Sequence, residues 1–300
     1  MLKDHFTIHA IDFRGHGMTK TSSDGDLSIG VLVQDVVDVM ERILPPTQEG
    51  GEPDTNPQTI LVGHSFPQWR LTMACSLGGA VAVRAAATEK IPSLVGVMVI
   101  DVVEGTAIAS LEHMHQVLAK RPQTFSSPDE AVHWALHSGT VRNAEAAAVS
   151  IPSQLVHRPD GKLTWRTDLK KSAPYWRDWF IGLSEQFLSL KPAKILVLAG
   201  SDRLDTALMR GQMMGKFELR LLYGSGHAIQ EDCPDQLAQA IVEFASRCAR
   251  MIDLDRVRIN SGSVGARDVL AERLAKARSM MPQPASMPQP AVMPKRLPPH

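Results

Sequence analysis

The sequence predicts an α/β fold in which helices flank a mostly parallel sheet, and three observations carry this prediction. Strand-like runs alternate with helical patterns along the chain, which is the order that builds parallel sheets. The run Ser93–Val103 is apolar without clean alternation, as expected for a strand buried on both faces of such a sheet. Polar residues follow several strand-like runs, namely Asp101, Asp202 and His227. Because parallel sheets bind ligands beyond the carboxyl ends of their strands, we expect a functional site there.

The composition is that of an ordinary globular protein. The 300 residues are 44% hydrophobic, which is enough to fill a sizeable core. Lysine plus arginine and aspartate plus glutamate each number 32, so the formal net charge is zero. This balance argues against nucleic acid or an anionic membrane as a partner. No apolar run reaches the roughly 18 residues that a membrane-spanning helix needs.

Cysteine usage and the amino terminus bear on the compartment. The three cysteines, Cys75, Cys233 and Cys248, are sparse and follow no spacing pattern, which favours a reducing compartment over a disulfide framework. The first ten residues, MLKDHFTIHA, lack the apolar core of a signal peptide. We therefore expect a cytoplasmic or nuclear protein, or one found in both compartments.

The first third of the chain predicts two strands and a helix. Phe6–Phe13 alternates as a strand does and leads into a glycine-rich turn. Asp26 or Ser28 is placed to cap a helix. Its apolar residues recur at helical spacing before Pro45 stops it; they are Leu32, Val36, Val39, Met40 and Ile43. The apolar run Ile60–Val62 then predicts a buried strand.

The remainder of the chain predicts a cap, two further strands and a tail. Residues 105–190 are mostly helical in pattern and look like an inserted cap, within a core domain spanning residues 1–250. Lys194–Ala199 and Phe217–Leu222 read as strands, and Gln236–Arg250 as an amphipathic helix. We expect residues 251–280 to add a short helical extension. Residues 281–300 are rich in proline and methionine and predict a disordered tail.

The stretch between residues 59 and 85 carries an interrupted catalytic motif. Gly63-His64 directly precedes Ser65, and Leu77-Gly78 directly follows Ser76. Joined at a single serine, the two halves read Gly-His-Ser-Leu-Gly, a nucleophile elbow, in which a serine occupies a sharp turn from strand to helix. An unspliced short intron within one serine codon would produce this split motif.

Either serine could be the nucleophile. Ser65 keeps the residues that precede a nucleophile and ends a good strand. Ser76 keeps Leu77 and Gly78, so the backbone N–H groups of the following helix would face a developing oxyanion. Arg70–Ala74 could then replace Ile60–Val62 as the strand. We favour Ser76, because the helix of an elbow begins directly after its nucleophile.

A serine hydroxyl needs a base, and the base needs an acid to orient it. His227 lies between Gly226 and Ala228 on a loop after the last predicted strand, and we expect it to be the base. Asp101 and Asp202 are both candidates for the acid, and the order serine, aspartate, histidine fits either one. The histidines do not form a cluster with metal-ligand spacing, so we expect no metal site.

The chain also resembles a known family over residues 6–250. The resemblance is carried by the segments Asp101–Ala107, Arg121–Phe125, Val141–Asn143, Thr164–Arg166, Tyr175–Phe180, Gly211–Phe217 and Gly226–Ala228. These segments are similar to those of the protein phosphatase methylesterases. Members of that family are serine esterases of the α/β-hydrolase fold that remove the methyl ester from the C-terminal carboxylate of type 2A protein phosphatase catalytic subunits.

The resemblance implies a serine–aspartate–histidine triad with Asp101 as the acid, and no cofactor. It implies the methylated tail of the type 2A phosphatase catalytic subunit as partner.

Three departures from the family pattern leave alternatives open. The family's leading N-terminal strands and its His-Gly-Gly-Gly segment, which supplies part of the oxyanion hole, are missing from this sequence. Residues Phe66–Cys75 interrupt the elbow, and the cap loop Gln154–Leu163 is short. The alternatives are a catalytically impaired protein that binds the phosphatase, and a general carboxylesterase of the same fold.

Overall fold

The computed structural model describes residues 2–44, 57–64, 77–200 and 204–260, with side chains as far as residue 253. The chain divides into two compact units, residues 1–249 and 250–300. The strands are β1 (Thr59–His64), β2 (Leu94–Ile100), β3 (Thr124–Phe125), β4 (Leu155–His157), β5 (Leu163–Trp165), β6 (Ala193–Leu198) and β7 (Glu218–Leu221). The α-helices are α1 (Ile29–Ile43), α2 (Leu77–Ala87), α3 (Glu104–Lys120), α4 (Pro128–His137), α5 (Ala144–Ser153), α6 (Trp176–Phe180), α7 (Leu183–Ser189), α8 (Thr206–Met213), α9 (Ile229–Asp232) and α10 (Pro234–Asn260). Two short 3-10 helices cover Leu2–Asp4 and Leu169–Tyr175.

A four-stranded parallel sheet in the order β1-β2-β6-β7 forms the core. Its register pairs His64 with Ile100 and Ile100 with Val197, so the carboxyl ends of β1, β2 and β6 finish side by side. The last five residues of β2 are all buried, which confirms that this strand is covered on both faces. The sequence prediction of a parallel α/β sheet is therefore correct.

Alternate residues of β2 face two separate apolar layers. Val97 and Val99 belong to a large cluster with α1, α2 and the cap helices. Met98 and Ile100 belong to a second cluster with residues of α9 and α10, including Phe244. Successive side chains of a strand point to opposite faces of the sheet. The sheet is therefore packed between two layers of helices, one on each face.

The predicted helix near the amino terminus is α1. Ser28 occupies its N-cap position with extended backbone angles, although its side chain accepts no capping hydrogen bond. The buried residues of α1 recur at helical spacing and face the core; they are Leu32, Val33, Val36, Val37 and Met40. This apolar stripe, rather than a strong cap, explains why the segment is helical.

The strand predicted at Phe6–Phe13 is absent from the structure, and this prediction was wrong. These residues have no regular secondary structure and are largely exposed. An isolated strand is not stable in water without a partner that pairs its backbone groups. Among the described residues β1 is an edge strand of the sheet, and Val62 on it is 46% exposed. Alternation alone therefore could not decide whether Phe6–Phe13 would find a neighbour.

Residues 105–190, the segment predicted to be the cap, are mostly helical as predicted but also contain a small antiparallel sheet. Its strands lie in the order β3-β5-β4, and they are only two or three residues long, too short to show a period in the sequence. Trp176 and Trp179 are almost fully buried. Nε1 of Trp179 donates to the carbonyl oxygen of Leu27 at 2.8 Å. These two tryptophans therefore attach the cap to the core.

The predicted C-terminal helix is present as α10 and is longer than the sequence pattern indicated. It begins at Pro234, where a proline costs no backbone hydrogen bond, and runs to Asn260. The rest of the predicted helical extension and the predicted tail lie outside the described residues. Within the described part of the chain, no helix has the length and apolar character needed to cross a membrane.

Candidate active site

Asp101 follows β2 directly and adopts an unusual backbone conformation. Its φ is +53°, a left-handed conformation that is costly for residues other than glycine and that occurs preferentially at functional sites. Its backbone N–H donates to the carbonyl oxygen of Val197 at 2.7 Å, which extends the β2–β6 ladder by one bond. The side chain is 0% exposed. The sheet therefore fixes this carboxylate at the carboxyl end of β2.

His227 lies on the loop after β7 and contacts Asp101. Its Nδ1 is 2.6 Å from Oδ2 of Asp101, and its side chain is only 3% exposed. An ionised carboxylate can only accept a hydrogen bond, so Nδ1 carries the hydrogen, and in the neutral ring Nε2 carries the lone pair. This is the tautomer that a histidine needs in order to act as a general base through Nε2.

A second carboxylate fixes the loop that carries His227. Oδ2 of Asp232 accepts from the backbone N–H of Gly226 at 2.6 Å, and Oδ1 accepts from that of Arg142 at 2.7 Å. The guanidinium of Arg142 donates in turn to the carbonyl oxygen of Ser225 at 3.1 Å. Because Arg142 belongs to the cap, these bonds join the cap to the loop immediately before His227.

His64, the last residue of β1, contacts the same loop. Its Nε2 lies 3.1 Å from the carbonyl oxygen of His227, and the two rings are 5.0 Å apart between centroids. Nε2 of Gln230 donates to Nδ1 of His64 at 3.4 Å. Burial, helped by the neighbouring His227, lowers the pKa of His64 to about 3, so its imidazole is neutral at ordinary pH.

The two halves of the interrupted elbow lie against each other. A Cβ added to Gly63 would collide with the carbonyl oxygen of Gly78 and would lie 2.7 Å from Cβ of Ala82. A Cβ added to Gly78 would lie 2.9 Å from the carbonyl oxygen of His64. The end of β1 and the start of α2 therefore approach as closely as two glycines allow. The two predicted halves of the motif, Gly63-His64 and Leu77-Gly78, are in direct contact through Gly63, His64 and Gly78.

This close approach predicts a large effect of one added methyl group. Gly63→Ala is expected to lower the free energy of unfolding by about 1–3 kcal/mol, because the methyl group meets backbone atoms that cannot rotate away. Thermal unfolding followed by circular dichroism measures the change. Gly30→Ala is the matched control, since nothing lies within 4 Å of that Cβ position. Equal stability of G63A and G30A would contradict the packing described here.

Of the predicted site residues, the structure brings together His227 and Asp101. Leu77 is the first residue of α2 and is buried, and Gly78 packs on His64. Ser65, Ser76 and Asp202 lie outside the described residues, as do Arg70–Ala74, the alternative strand. The strand predicted at Ile60–Val62 is present as β1.

The sequence placed His64 in the elbow motif, directly before Ser65, but indicated no role for its side chain, and it did not single out Asp232. Asp232 carried no signal of its own, since its partners Gly226 and Arg142 lie on other segments. Among the described residues, no group of three or more histidine, cysteine, aspartate or glutamate side chains is placed to hold a metal ion.

Comparison with known proteins places the chain in a family. Residues 71–240 match the alpha/beta hydrolase family. Among solved structures, E-2-(acetamidomethylene)succinate hydrolase superposes with a TM-score of 0.62 at 21% identity, over 82% of this chain and 83% of that one. An esterase of Mycobacterium tuberculosis superposes with a TM-score of 0.56 at 18% identity, over 79% of this chain and 76% of that one. At these identities the structural likeness concerns the fold alone.

Curated relatives are more informative. The protein phosphatase methylesterase 1 of Yarrowia lipolytica is 43% identical over 240 residues, which cover 79% of this chain and 53% of the relative. That of Mus musculus is 37% identical over 282 residues, which cover 80% of this chain and 68% of the relative. This chain thus spans between about half and two-thirds of the length of these relatives. The chain belongs to the protein phosphatase methylesterase family of the alpha/beta hydrolases.

Proposed function

We propose that this chain is a serine carboxylesterase that removes the methyl ester from the C-terminal carboxylate of a type 2A protein phosphatase catalytic subunit. The observation that carries the proposal is the buried hydrogen bond of 2.6 Å between His227 and Asp101 at the carboxyl edge of the sheet. Membership in a family whose curated members are named protein phosphatase methylesterases supports the choice of substrate. The cytoplasm and the nucleus are the compartments in which we expect this reaction.

The reaction begins with the attack of a serine hydroxyl on the ester carbonyl. Ser76 is our first candidate for the nucleophile and Ser65 the second. Nε2 of His227 takes the hydroxyl proton as the new carbon–oxygen bond forms. Asp101 accepts the hydrogen bond from Nδ1, and so holds the ring in orientation and stabilises the imidazolium that forms.

The negative charge of the tetrahedral intermediate develops on the former carbonyl oxygen. Backbone N–H groups at the start of α2, from Leu77 and Gly78, are our candidates to stabilise it. The intermediate collapses as Nε2 of His227 returns its proton to the departing oxygen, so methanol leaves and an acyl-enzyme remains. A water molecule then attacks the acyl group with His227 again as base, which frees the phosphatase carboxylate and restores the serine hydroxyl.

Several features make the reaction feasible without metal or cofactor. Serine hydrolysis of an ester requires a nucleophile, a base, an orienting acid and an oxyanion site. His227 and Asp101 are our candidates for the base and the acid, and α2 (Leu77–Ala87) follows Ser76 directly in the sequence, as the helix of an elbow follows its nucleophile. The interruption at Phe66–Cys75 favours one competing function, a phosphatase-binding protein with impaired catalysis.

A demethylation assay separates these functions. The methylated phosphatase catalytic subunit is incubated with the purified chain, and the loss of the methyl group is followed by mass spectrometry of the phosphatase C-terminal peptide. We expect loss of 14 mass units, the difference between a methyl ester and a carboxylate, at a rate proportional to the amount of chain added. The Asp101→Asn protein serves as the inactive control.

The other outcomes have definite meanings. Co-purification with the phosphatase without demethylation would favour the impaired binding protein. Rapid hydrolysis of small esters with no action on the methylated phosphatase would favour a general carboxylesterase. Either result would refute the proposed activity.

A further inference from the structure

We propose that His64 is a positioning residue for His227, tying the strand that precedes the candidate serines to the backbone of the candidate base. The inference rests on the proposed function, because it assigns a role within the same site. His64 itself does not touch the reacting atoms in this account. It acts by holding the loop that presents the His227 ring to Asp101.

The geometry provides the tie. Nε2 of His64 lies 3.1 Å from the carbonyl oxygen of His227, across a sequence separation of 163 residues. The same carbonyl oxygen accepts the backbone N–H of Ile229 at 2.9 Å. A carbonyl oxygen has two lone pairs, and here one serves the local turn while the other binds the end of β1. Asp232 holds the same loop at Gly226, whereas the contact with His64 holds the backbone of His227 itself to the end of β1.

The hydrogen-bond partners also fix which nitrogen of His64 carries the hydrogen. Nε2 of Gln230 donates to Nδ1 of His64, so Nδ1 is the acceptor of a neutral ring and Nε2 is the donor. Both interactions of His64 therefore require the same tautomer. Gln230 lies three residues after His227. His64 therefore bonds to the backbone before the short turn, at His227, and to a side chain after it, at Gln230.

His64 is neutral at ordinary pH, which suits a residue that lies beside a base that becomes positively charged during the reaction. Burial and then the electrostatic effect of His227 lower the pKa of His64 to about 3, while the hydrogen bond to the backbone of His227 and the charge of Asp101 act in the opposite direction. Among the described residues, His227 and Asp101 are the titratable groups that act on it. A neutral His64 means that His227 can take up the serine proton without a second cation 5.0 Å away. A lysine or arginine here could donate the same hydrogen bond but would repel that charge.

The test compares His64→Leu with His64→Gln in the full chain. Leucine fills the space without a hydrogen bond. The glutamine amide can both donate to the His227 carbonyl oxygen and accept from Gln230. We expect H64L to lower kcat up to about 10²-fold with KM little changed, and H64Q to retain most of the activity. His133→Leu on the exposed face of α4 makes the same chemical change away from the site and is expected to have no effect.

A measurement that does not depend on turnover accompanies the rates. The Nδ1–H of His227, shielded and bonded to Asp101, is expected to give a low-field proton NMR signal in the wild type, in H64Q and in H133L. In H64L the signal should broaden or disappear, as the loop moves and the proton exchanges faster with water. An unreactive wild type that shows this pattern would refute the esterase function but support the role of His64.

Acid titration of stability gives an independent readout with a definite sign. The unfolded chain protonates His64 near pH 6.5, whereas the native chain does so only near pH 3. Between these values the unfolded state binds more protons, so this contribution to native stability is lost as the pH falls. Glutamine at position 64 does not titrate in this range. We therefore expect the free energy of unfolding of H64Q to rise relative to that of the wild type as the pH falls from 6.5 toward 3. If H64L and H64Q match each other in kcat and in the NMR signal, the inference is wrong. Parallel loss of stability in H64Q and the wild type would show that His64 is not a buried neutral group in the native chain.

Discussion

Replacing Asp101 with asparagine is expected to lower kcat for the methyl ester by about 10⁴-fold, the effect seen when the acid of a serine triad becomes an amide. An asparagine side chain can present an N–H to Nδ1 of His227. The histidine would then hold its hydrogen on Nε2, where it cannot accept the serine proton. Steady-state kinetics on a methyl ester peptide measures the change, with KM expected to remain similar because Asp101 does not contact substrate in this account.

Asp205 provides a matched control for this substitution. It also follows a core strand and caps α8, where its Oδ1 accepts from the backbone N–H of Leu208 at 2.9 Å. Asp205→Asn makes the same chemical change at a residue whose side chain bonds Leu208 and Ser184 rather than His227, so kcat should change little. If D101N keeps more than a tenth of the wild-type kcat, Asp101 is not the acid.

His227→Ala is expected to abolish the reaction of the chain with a serine-directed fluorophosphonate and to lower kcat by about 10⁶-fold. Without a base the serine hydroxyl is a weak nucleophile at neutral pH, and the probe reacts only with activated serines. Labelling is read by gel fluorescence after equal exposure times. His133→Ala, on the exposed face of α4, should be labelled as strongly as the wild type.

The substitution also removes one partner of a buried carboxylate, so folding must be checked. The Asp101 side chain has 0% exposure, and it is costly to take a hydrogen-bond donor away from such a group, even though the backbone N–H of Ala199 also donates to its Oδ1 at 3.4 Å. His227→Gln retains an amide that can donate to it. If a folded H227Q protein is not labelled, His227 is the activating base even if H227A fails to fold. Undiminished labelling of either variant would show that another group activates the serine.

The sequence was most informative where a physical requirement was local. The apolar run of β2 and the helical spacing in α1 predicted their elements because burial on one or both sides dictates the residue pattern. Asp101 and His227 were predicted as site residues because both follow strands of a parallel sheet, whose carboxyl ends meet at one edge. From the residues alone, however, Asp202 remained as good a candidate for the acid as Asp101.

The sequence was least informative where the outcome depends on a distant partner. Phe6–Phe13 has a strand pattern, but whether it pairs depends on a neighbouring strand that alternation cannot reveal. The contact between Asp232 and Gly226 joins a helix to a loop, and the contact between Asp232 and Arg142 joins the same helix to the cap. His64 contacts His227 although the two residues are 163 positions apart in the sequence. None of these contacts leaves a periodic or spaced signal along the chain.

We infer that Asp101 and His227 activate a serine between β1 and α2. Labelling of the wild-type chain with a fluorophosphonate, followed by mass spectrometry of the labelled peptide, identifies that serine. We expect one adduct, on Ser76 or failing that on Ser65, which is lost in H227Q. A folded wild-type chain that carries no adduct, or carries one on a serine elsewhere, would contradict it.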